Sequence, residues 1–327
     1  MEKIGVSVVV PTYRRPLLLA RCLQALLLQD YPGTSFEVIV VSDGVDDETA
    51  AVIARFRSRA TGHILYHALP VKGGPAAARN AGWKMASGEL VAFTDDDCIP
   101  SVTWLRFLWR AYTPYAERPV AFTGNTIVPV PLRPTDYELN ISQLAKAEFI
   151  TANCACSRDA LQRVNGFDER FSMAWREDSD LQFKLLENGV PIVPVKAAVV
   201  THPVRRSPWG VSIREEKKNM FNALLRRKYP HLYRQKIGGG PSLLYYGIVV
   251  SLFCSLTFFL VGSPAAGFAT LATWGLLTGY FTWKRLKRTV RSPSHIAEMV
   301  ATSAVIPALS LYWNFYGAWK FRDFRVP

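Results

Sequence analysis

The feature that most limits what this chain can fold into is a pairing repeated through its first hundred residues. A run rich in β-branched residues is followed at once by a polar cluster bearing glycine or aspartate. "VSVVV" (6–10) stops at Pro11-Thr12, "FEVIVVSDG" (36–44) closes on Asp43-Gly44, "HILYHAL" (63–69) leads into "VKGGP", and "GELVAFTDDD" (88–97) ends in three aspartates. Continuous apolar runs, rather than alternating ones, mark strands buried on both faces, as in parallel sheets. Between them lie helical stretches: "LLLARCLQALLLQD" (17–30), a polar helix from about Asp47, and "AAARNAGWKMAS". Four strand–helix alternations imply an α/β fold with a doubly wound, mostly parallel sheet, whose ligands bind beyond the carboxyl ends of the strands. "PTYRRP", "VSDG", "KGGPAAARN" and "TDDD" all stand at such ends, so they are expected to converge on one crevice.

Further along, Arg118 to about Ile141 is rich in proline and reads as irregular. "FITANCACSRDALQRVNGFDERF" (149–171) reads as strand, helix and a glycine-bearing turn, and "REDSDLQFKLLENG" (176–189) as a helix with an acidic start, ended by Gly189. Acidic residues in a first turn also serve as partners of the helix dipole, a reading that stays open for Glu177 and Asp178.

Charge and hydropathy separate the two ends of the chain. Residues 1–201 carry 21 Lys and Arg against 22 Asp and Glu, and residues 202–327 carry 18 against 4, so the whole basic excess lies in the C-terminal part. Its clusters "KRLKR" (284–288) and "KFRDFR" (320–325) border apolar runs, which favours anionic lipid headgroups over nucleic acid as the partner. "LLYYGIVVSLFCSLTFFLVG" (243–262) and "AAGFATLATWGLLTGYFTW" (265–283) are uncharged and each long enough for a hydrocarbon core of roughly 30 Å. Only Ser263-Pro264 separates them, so a transmembrane hairpin is expected, with both ends held in the cytosol by flanking Lys and Arg.

Before the hairpin, Ile213, Met220, Phe221, Leu224 and Leu225 form one helical stripe flanked by basic residues, the pattern of an interfacial helix. A third run, Ile296 to Trp319, contains Glu298, Pro307 and Asn314, and crossing the membrane would carry "KFRDFR" to the far side. An interfacial or re-entrant helix pair is therefore expected there. The expected organisation is a catalytic domain over 1–207, an amphipathic juxtamembrane segment over 208–237, the hairpin over 238–284, and a basic loop with the third hydrophobic segment over 285–327. The start "MEKIGVSVVVPTYRRP" is broken at Pro11 and lacks a small-residue cleavage site, so no signal peptide is read and the catalytic part is expected in the cytosol. Five cysteines without framework spacing fit a reducing compartment, with Cys154 and Cys156 as core residues.

The three aspartates admit two readings, a solvated turn or a divalent-cation site. In extended geometry Asp95 and Asp97 point the same way, about 6.6 Å apart, while Asp96 turns elsewhere and supports the turn. Carboxylate oxygens with substrate phosphates are the shell that hard cations such as Mg²⁺ take. An EF-hand-like Ca²⁺ loop on a membrane-tethered binding module is disfavoured, because the sixth residue counted from Asp95 is Pro100 where such a loop needs glycine. A nucleotidyltransferase that makes a sugar nucleotide or activated lipid is disfavoured because "PTYRRP" has no glycine after the first strand.

Taken in order, "VSVVVPTYRRP", "VSDG", "GGPAAARNAG", "FTDDDC", "NGFDERF" and "REDSDL" resemble the family 2 glycosyltransferases of the Rossmann-like GT-A fold, over residues 6 to about 205. The resemblance implies an inverting, metal-dependent sugar transfer from a nucleotide-sugar donor, UDP-linked by preference, using Mn²⁺ or Mg²⁺. It implies that Thr12 and Asp43 hold the nucleotide base, that Pro11, Arg79, Asp95 and Asp96 lie at the nucleotide, and that Asp95 and Asp97 hold the metal. It further implies Asp178 as general base, with Glu177 beside it in the catalytic pair. His202 stands where several members place another metal ligand, and a surface or capping role is its alternative. Trp175, Arg206 and Trp209 are the candidate acceptor-binding residues, although Arg206 also suits a basic membrane surface and Trp209 a bilayer interface. Processive members carry Q-x-x-R-W where this chain has Arg206-Ser-Pro-Trp209 and no matching Gln. With a single hairpin, that departure points away from a polymer-exporting synthase and toward a lipid-linked or membrane-proximal acceptor.

Overall fold

A computed structural model of the protein describes residues 4–31, 35–58 and 63–323, so the end of the basic cluster at 320–325 lies outside the described residues. The strands are β1 (Ile4–Thr12), β2 (Ser35–Ser42), β3 (His63–Ala68), β4 (Leu90–Phe93), β5 (Ile99–Pro100), β6 (Ala121–Ile127), β7 (Cys154–Ser157) and β8 (Ile192–Thr201). The helices begin with α1 (Pro16–Leu27), α2 (Asp47–Arg57), α3 (Pro75–Met85), α4 (Trp104–Tyr112), α5 (Asp136–Ile141), α6 (Arg158–Val164) and α7 (Glu177–Glu187). They continue with α8 (Val211–Glu215), α9 (Met220–Lys228), α10 (Pro230–Lys236), α11 (Leu243–Leu260), α12 (Pro264–Leu286) and α13 (Pro293–Lys320). The chain divides into two compact units, one of residues 1–129 and 142–204, the other of 130–141 and 205–327.

The first unit is an eight-stranded sheet in the order β3-β2-β1-β4-β7-β6-β8-β5. The four runs read as buried strands are β1 to β4, all mutually parallel, but β3 lies at the sheet edge and is mostly half-exposed rather than buried on both faces. Val6, Val8 and Val10 enter one apolar layer with Leu19, Leu23 and Trp104, while Val9 enters the other with Ile39, Trp83 and Phe93. Both faces of β1 are thus covered, which is why its sequence does not alternate. Strand order reverses beside β1, opening a crevice at the carboxyl ends of β1 and β4. Cys154 and Cys156 are core residues, as expected.

Three strands escaped the sequence: β5, only two residues long, and the longer β6 and β8. β6 lies inside the segment read as irregular, and β8 carries Pro194 and Lys196 in a mostly half-exposed strand. Neither has the continuous apolar run that identified β1 to β4. Parallel pairing between β6 and β8, interrupted between Gly124 and Asn125, supplies the hydrogen bonds instead.

In the second unit α11 and α12 pack as a helical hairpin, held where Ser255 Oγ donates to the Gly267 carbonyl at 2.9 Å. A Cβ at Gly267 would stand 2.8 Å from the Phe259 ring, so glycine lets the two helices close. Among the described residues, α11 and α13 are each long and apolar enough to cross a membrane, whereas α12, with its threonines, glycines and basic end, is not of that class. The third hydrophobic segment is one 28-residue helix passing through Pro307, not a helix pair. The amphipathic segment also differs from expectation. It is broken into α8, a short 3₁₀ stretch and α9, and its stripe of Met220, Phe221, Leu224 and Leu225 is buried. α13 covers it: the Phe221 and Phe321 rings lie 6.1 Å apart, Arg226 Nε donates to Asp323 at 2.7 Å, and a Cβ on Gly317 would meet the Met220 carbonyl oxygen at 2.2 Å. Residues 130–141, expected in the catalytic domain, belong to this second unit, where Arg285 Nη2 donates to Asp136 at 2.7 Å.

Candidate active site

The site is built where β1, β2 and β4 end. β4 pairs with β1 up to Val9 and Phe93, so the chain leaving β4 emerges beside Pro11-Thr12. The aspartates then sit in a turn closed by the Cys98 N–H on the Asp95 carbonyl at 3.1 Å, not in the extended geometry expected of them. Asp96 is turned back into the fold. Its carboxylate accepts from Thr12 Oγ1 at 2.7 Å and from Arg15 Nη1 at 3.2 Å, and burial, partly opposed by Arg15, pushes its pKa up to about 6. Asp96 therefore ties β1 to α1 as a turn support, and the Thr12 hydroxyl is engaged with it.

Asp43 is also occupied. Its carboxylate accepts from the Gly73 N–H at 2.6 Å and the Gly74 N–H at 2.9 and 3.0 Å. Gly74 has φ +92°, and a Cβ there would stand 2.5 Å from the Ser172 carbonyl oxygen. That explains "GGP" before α3: only glycine permits both the backbone angle and the close approach. Asn80 then anchors the "NGFDE" turn, accepting from the Phe167 N–H at 2.9 Å and donating to the Phe167 carbonyl at 3.0 Å.

Arg79 is 2% exposed and bridges the aspartate turn to Glu177, 98 residues after Arg79 in sequence. Nη2 donates to Asp95 Oδ1 at 2.7 Å and Nη1 to Glu177 Oε1 at 3.2 Å. Burial raises the Asp95 pKa, but Arg79 and His202 outweigh it and hold the carboxyl below its ordinary value. Glu177 is 4% exposed, and burial pushes it up to about 7 against the pull of Arg79. Asp178 is half-buried. Its Oδ1 accepts from the Ser179 N–H at 2.6 Å and Ser179 Oγ at 3.3 Å, and desolvation raises its pKa while Arg176 opposes the shift. Beside them Trp175 is 36% exposed, with the Arg176 guanidinium 4.7 Å from its ring centre.

His202 reaches the aspartates through a two-residue strand. β5 follows the turn directly and pairs antiparallel with β8, Ile99 opposite Thr201, so residue 202 falls across from residue 98. His202 Nε2 lies 3.6 Å from Asp97 Oδ1, and its Nδ1 is buried without a hydrogen-bond partner. Asp95, Asp97, Cys98 and His202 each offer one ligand atom within 4.8 Å of the others. Cys98 was not anticipated, although it adjoins Asp97 in sequence. Burial, with Asp95 and Asp97 adding to it, lifts its thiol well above the ordinary value. A protonated sulfur is a poor ligand for a hard cation. Two carboxylates and an imidazole remain: the full set suits Mn²⁺, the two carboxylates alone suit Mg²⁺, and phosphate oxygens would complete either shell. Arg206 and Trp209 belong to the second unit; Trp209 lines a cavity there.

A mixed sheet with a carboxylate cluster at its parallel carboxyl ends defines the GT-A class of glycosyltransferases. Residues 7–170, half of the chain, match the model described as glycosyl transferase family 2, and the chain belongs to that family. It is 37% identical over 100 residues to glycosyltransferase AglE of Haloferax volcanii, covering 31% of this chain and 33% of that one. It is 26% identical over 252 residues to validoxylamine A glucosyltransferase of Streptomyces hygroscopicus subsp. limoneus, covering 66% and 53%. The chain thus spans about half or less of the length of these relatives. In fold it is similar to a mannosyltransferase from Pyrobaculum calidifontis in complex with GDP-Man and Mn²⁺, with TM-score 0.55 and 18% identity over 98% of this chain and 88% of that one. It is likewise similar to residues 1–349 of TarS from S. aureus in complex with UDP-GlcNAc, with TM-score 0.52 and 19% identity over 98% and 93%.

Proposed function

We propose that this glycosyltransferase is inverting and metal-dependent, and that it moves a sugar from a nucleotide donor, UDP-linked by preference, to a lipid-linked or membrane-proximal acceptor on the cytosolic face. The observation that carries the reading is the convergence of Asp95, Asp97 and His202 donor atoms at the carboxyl ends of the sheet. A divalent cation held there supplies charge neutralisation for the departing nucleoside diphosphate.

Asp178 is the base. It takes the proton of an acceptor hydroxyl as that oxygen bonds to the anomeric carbon, and the bond from that carbon to the diphosphate oxygen breaks with its electron pair leaving on the nucleotide. One displacement inverts the centre. Exposure and hydrogen bonding support Asp178 over Glu177: the first is half-open with one oxygen steadied by Ser179, the second is enclosed and paired with Arg79. Glu177 and Arg79 are positioning residues in this scheme. Trp175 offers an aromatic face beside the base for donor or acceptor.

The second unit is the membrane anchor. The ends of α11 and α12 that α13 touches are Ile248, Phe281 and Arg285, beside the basic flanks, and its far half lies against α9 with Arg226. Such neighbours favour an interfacial α13 on the cytosolic side of an α11–α12 hairpin, with Arg206 and the other basic residues toward anionic lipid. The test is nucleotide release by solubilised protein with Mn²⁺ or Mg²⁺, across UDP-, GDP- and dTDP-sugars, beside D97A. Release from one donor that vanishes with EDTA and in D97A is expected. Release that persists in both would refute the metal assignment.

A further inference from the structure

The stretch 130–134, Val-Pro-Leu-Arg-Pro, is a loop of the second unit that the transfer chemistry does not use. Leu132 is 99% exposed, and Val130, two residues away and so on the same side of an extended chain, is exposed as well. A lone exposed leucine is ordinary on a protein surface. This one is held out by its neighbours. Pro131 and Pro134 fix the backbone on either side of it and remove two N–H donors that could fold the loop back. The base of the loop is pinned twice. The Val290 N–H donates to the Pro134 carbonyl at 2.9 Å, and Thr135 and Glu138 close a reciprocal capping box, at 2.7 and 3.2 Å, that starts α5. Arg285 Nη2, donating to Asp136 at 2.7 Å, ties the same turn to α12. Leu132 is thus kept from burial against its own unit, and its apolar surface stays in water until a partner removes it.

The surroundings identify that partner. The pinning contacts fall at the end of α12, where Tyr280 and Trp283 are exposed with their rings stacked 5.9 Å apart, and Lys287 Nζ stands 5.2 Å from the Trp283 ring centre. Lys284, Lys287, Arg288 and Arg291 are exposed beyond them, and no Asp or Glu occurs at positions 130–135 or 283–297. Exposed Trp and Tyr followed by Lys and Arg mark the headgroup level at the end of a membrane helix. Such cations draw anionic headgroups. A protein groove that takes a proline-rich strand brings its own aromatic lining, and would have no use for a belt of aromatics and cations on the side of the loop.

We propose that loop 130–133 is a lipid-inserting wedge for an anionic bilayer surface, with Val130 and Leu132 among the acyl chains and Arg133, Lys287 and Arg288 at the headgroups. The inference rests on the reading of the second unit as the membrane anchor, and it adds a contact that neither the helical hairpin nor α13 supplies. Because the chain enters this loop from β6, the wedge ties the catalytic sheet to the bilayer at a second covalent point, in addition to the one after β8.

The experiment measures spin-label depth on the 327-residue chain in nanodiscs, by power saturation with lipid-soluble O₂ and water-soluble nickel-EDDA. C254S removes the half-buried cysteine, and L132C carries the label. In phosphatidylglycerol discs the ratio of O₂ to nickel accessibility should exceed by about threefold that of A51C, an exposed position on α2. V130D should return the label to the ratio seen at position 51, because the loop and not the label drives insertion. Phosphatidylcholine discs should lower the ratio about twofold. A label at position 132 as open to nickel as the one at 51 overturns the proposal. So does a label shielded from both reagents, which would mean that protein covers the loop, insertion that V130D leaves intact, or an equal ratio in the two lipids. F253C, exposed on α11, tests the anchor separately. Lipid contact at 253 with water at 132 sinks the wedge and leaves the anchor, and water at 253 with lipid contact at 132 does the reverse.

Discussion

Replacing Asp178 with Asn tests the proposed chemistry most directly. The amide keeps the shape of the carboxylate and one oxygen for the Ser179 N–H and hydroxyl, but it cannot accept the acceptor proton. A positioned base contributes about 10²–10⁴-fold, so the barrier should rise by about 3–5.5 kcal/mol. The loss should fall on kcat for transfer. Donor affinity should change less than threefold, because the hydrogen bonds of the Asp178 side chain run to Ser179 and not to Asp95, Asp97 or Arg79. Burial raises the Asp178 pKa above its ordinary value, so wild-type transfer should fall as pH is lowered through that raised pKa, where the base becomes protonated. D178N should lose this limb. The assay is product formation under saturating donor, with donor dissociation measured separately by calorimetry. A kcat within tenfold of wild type, or an equal loss in donor binding, would refute the assignment of Asp178 as base.

Two further expectations concern stability. R79M removes the partner of the buried Glu177 and of the half-buried Asp95, and should destabilise the apoprotein by about 3 kcal/mol, read from denaturant unfolding; a loss below 1 kcal/mol would show that Arg79 and its two carboxylates are not a structural clamp. In the second unit, burial pushes Glu216 up to about 7, opposed by its hydrogen bonds with Ser310 and Asn219. A raised folded pKa favours the folded state below the unfolded value near 4.5 and costs stability as pH rises toward 7 and beyond. E216Q should therefore melt with wild type at pH 4.5 and be more stable at pH 8 by up to about 3 kcal/mol. Equal melting at both pH values would contradict the burial argument.

What was legible in the sequence was what local pattern dictates. β1, β2 and β4 showed as unbroken apolar runs because a strand covered on both faces has no polar face to alternate, and the polar clusters were legible because strand ends in such a sheet meet at one edge. β6 and β8 were not, since half-exposed strands with a proline and a lysine take their stability from pairing partners far away in sequence. The same limit applies at the site. Motif order marked Asp95, Asp97, His202 and Asp178 as candidates, but residue type and order say nothing of what a side chain touches. A two-residue antiparallel pairing decided that His202 faces Asp97, and Arg79 came to lie between Asp95 and Glu177 only when α3 and α7 packed into one unit. The amphipathic stripe of α9 was equally plain in sequence. Hydrophobic burial is non-directional, so whether lipid or α13 covers such a stripe was for tertiary packing to decide, and α13 covers it.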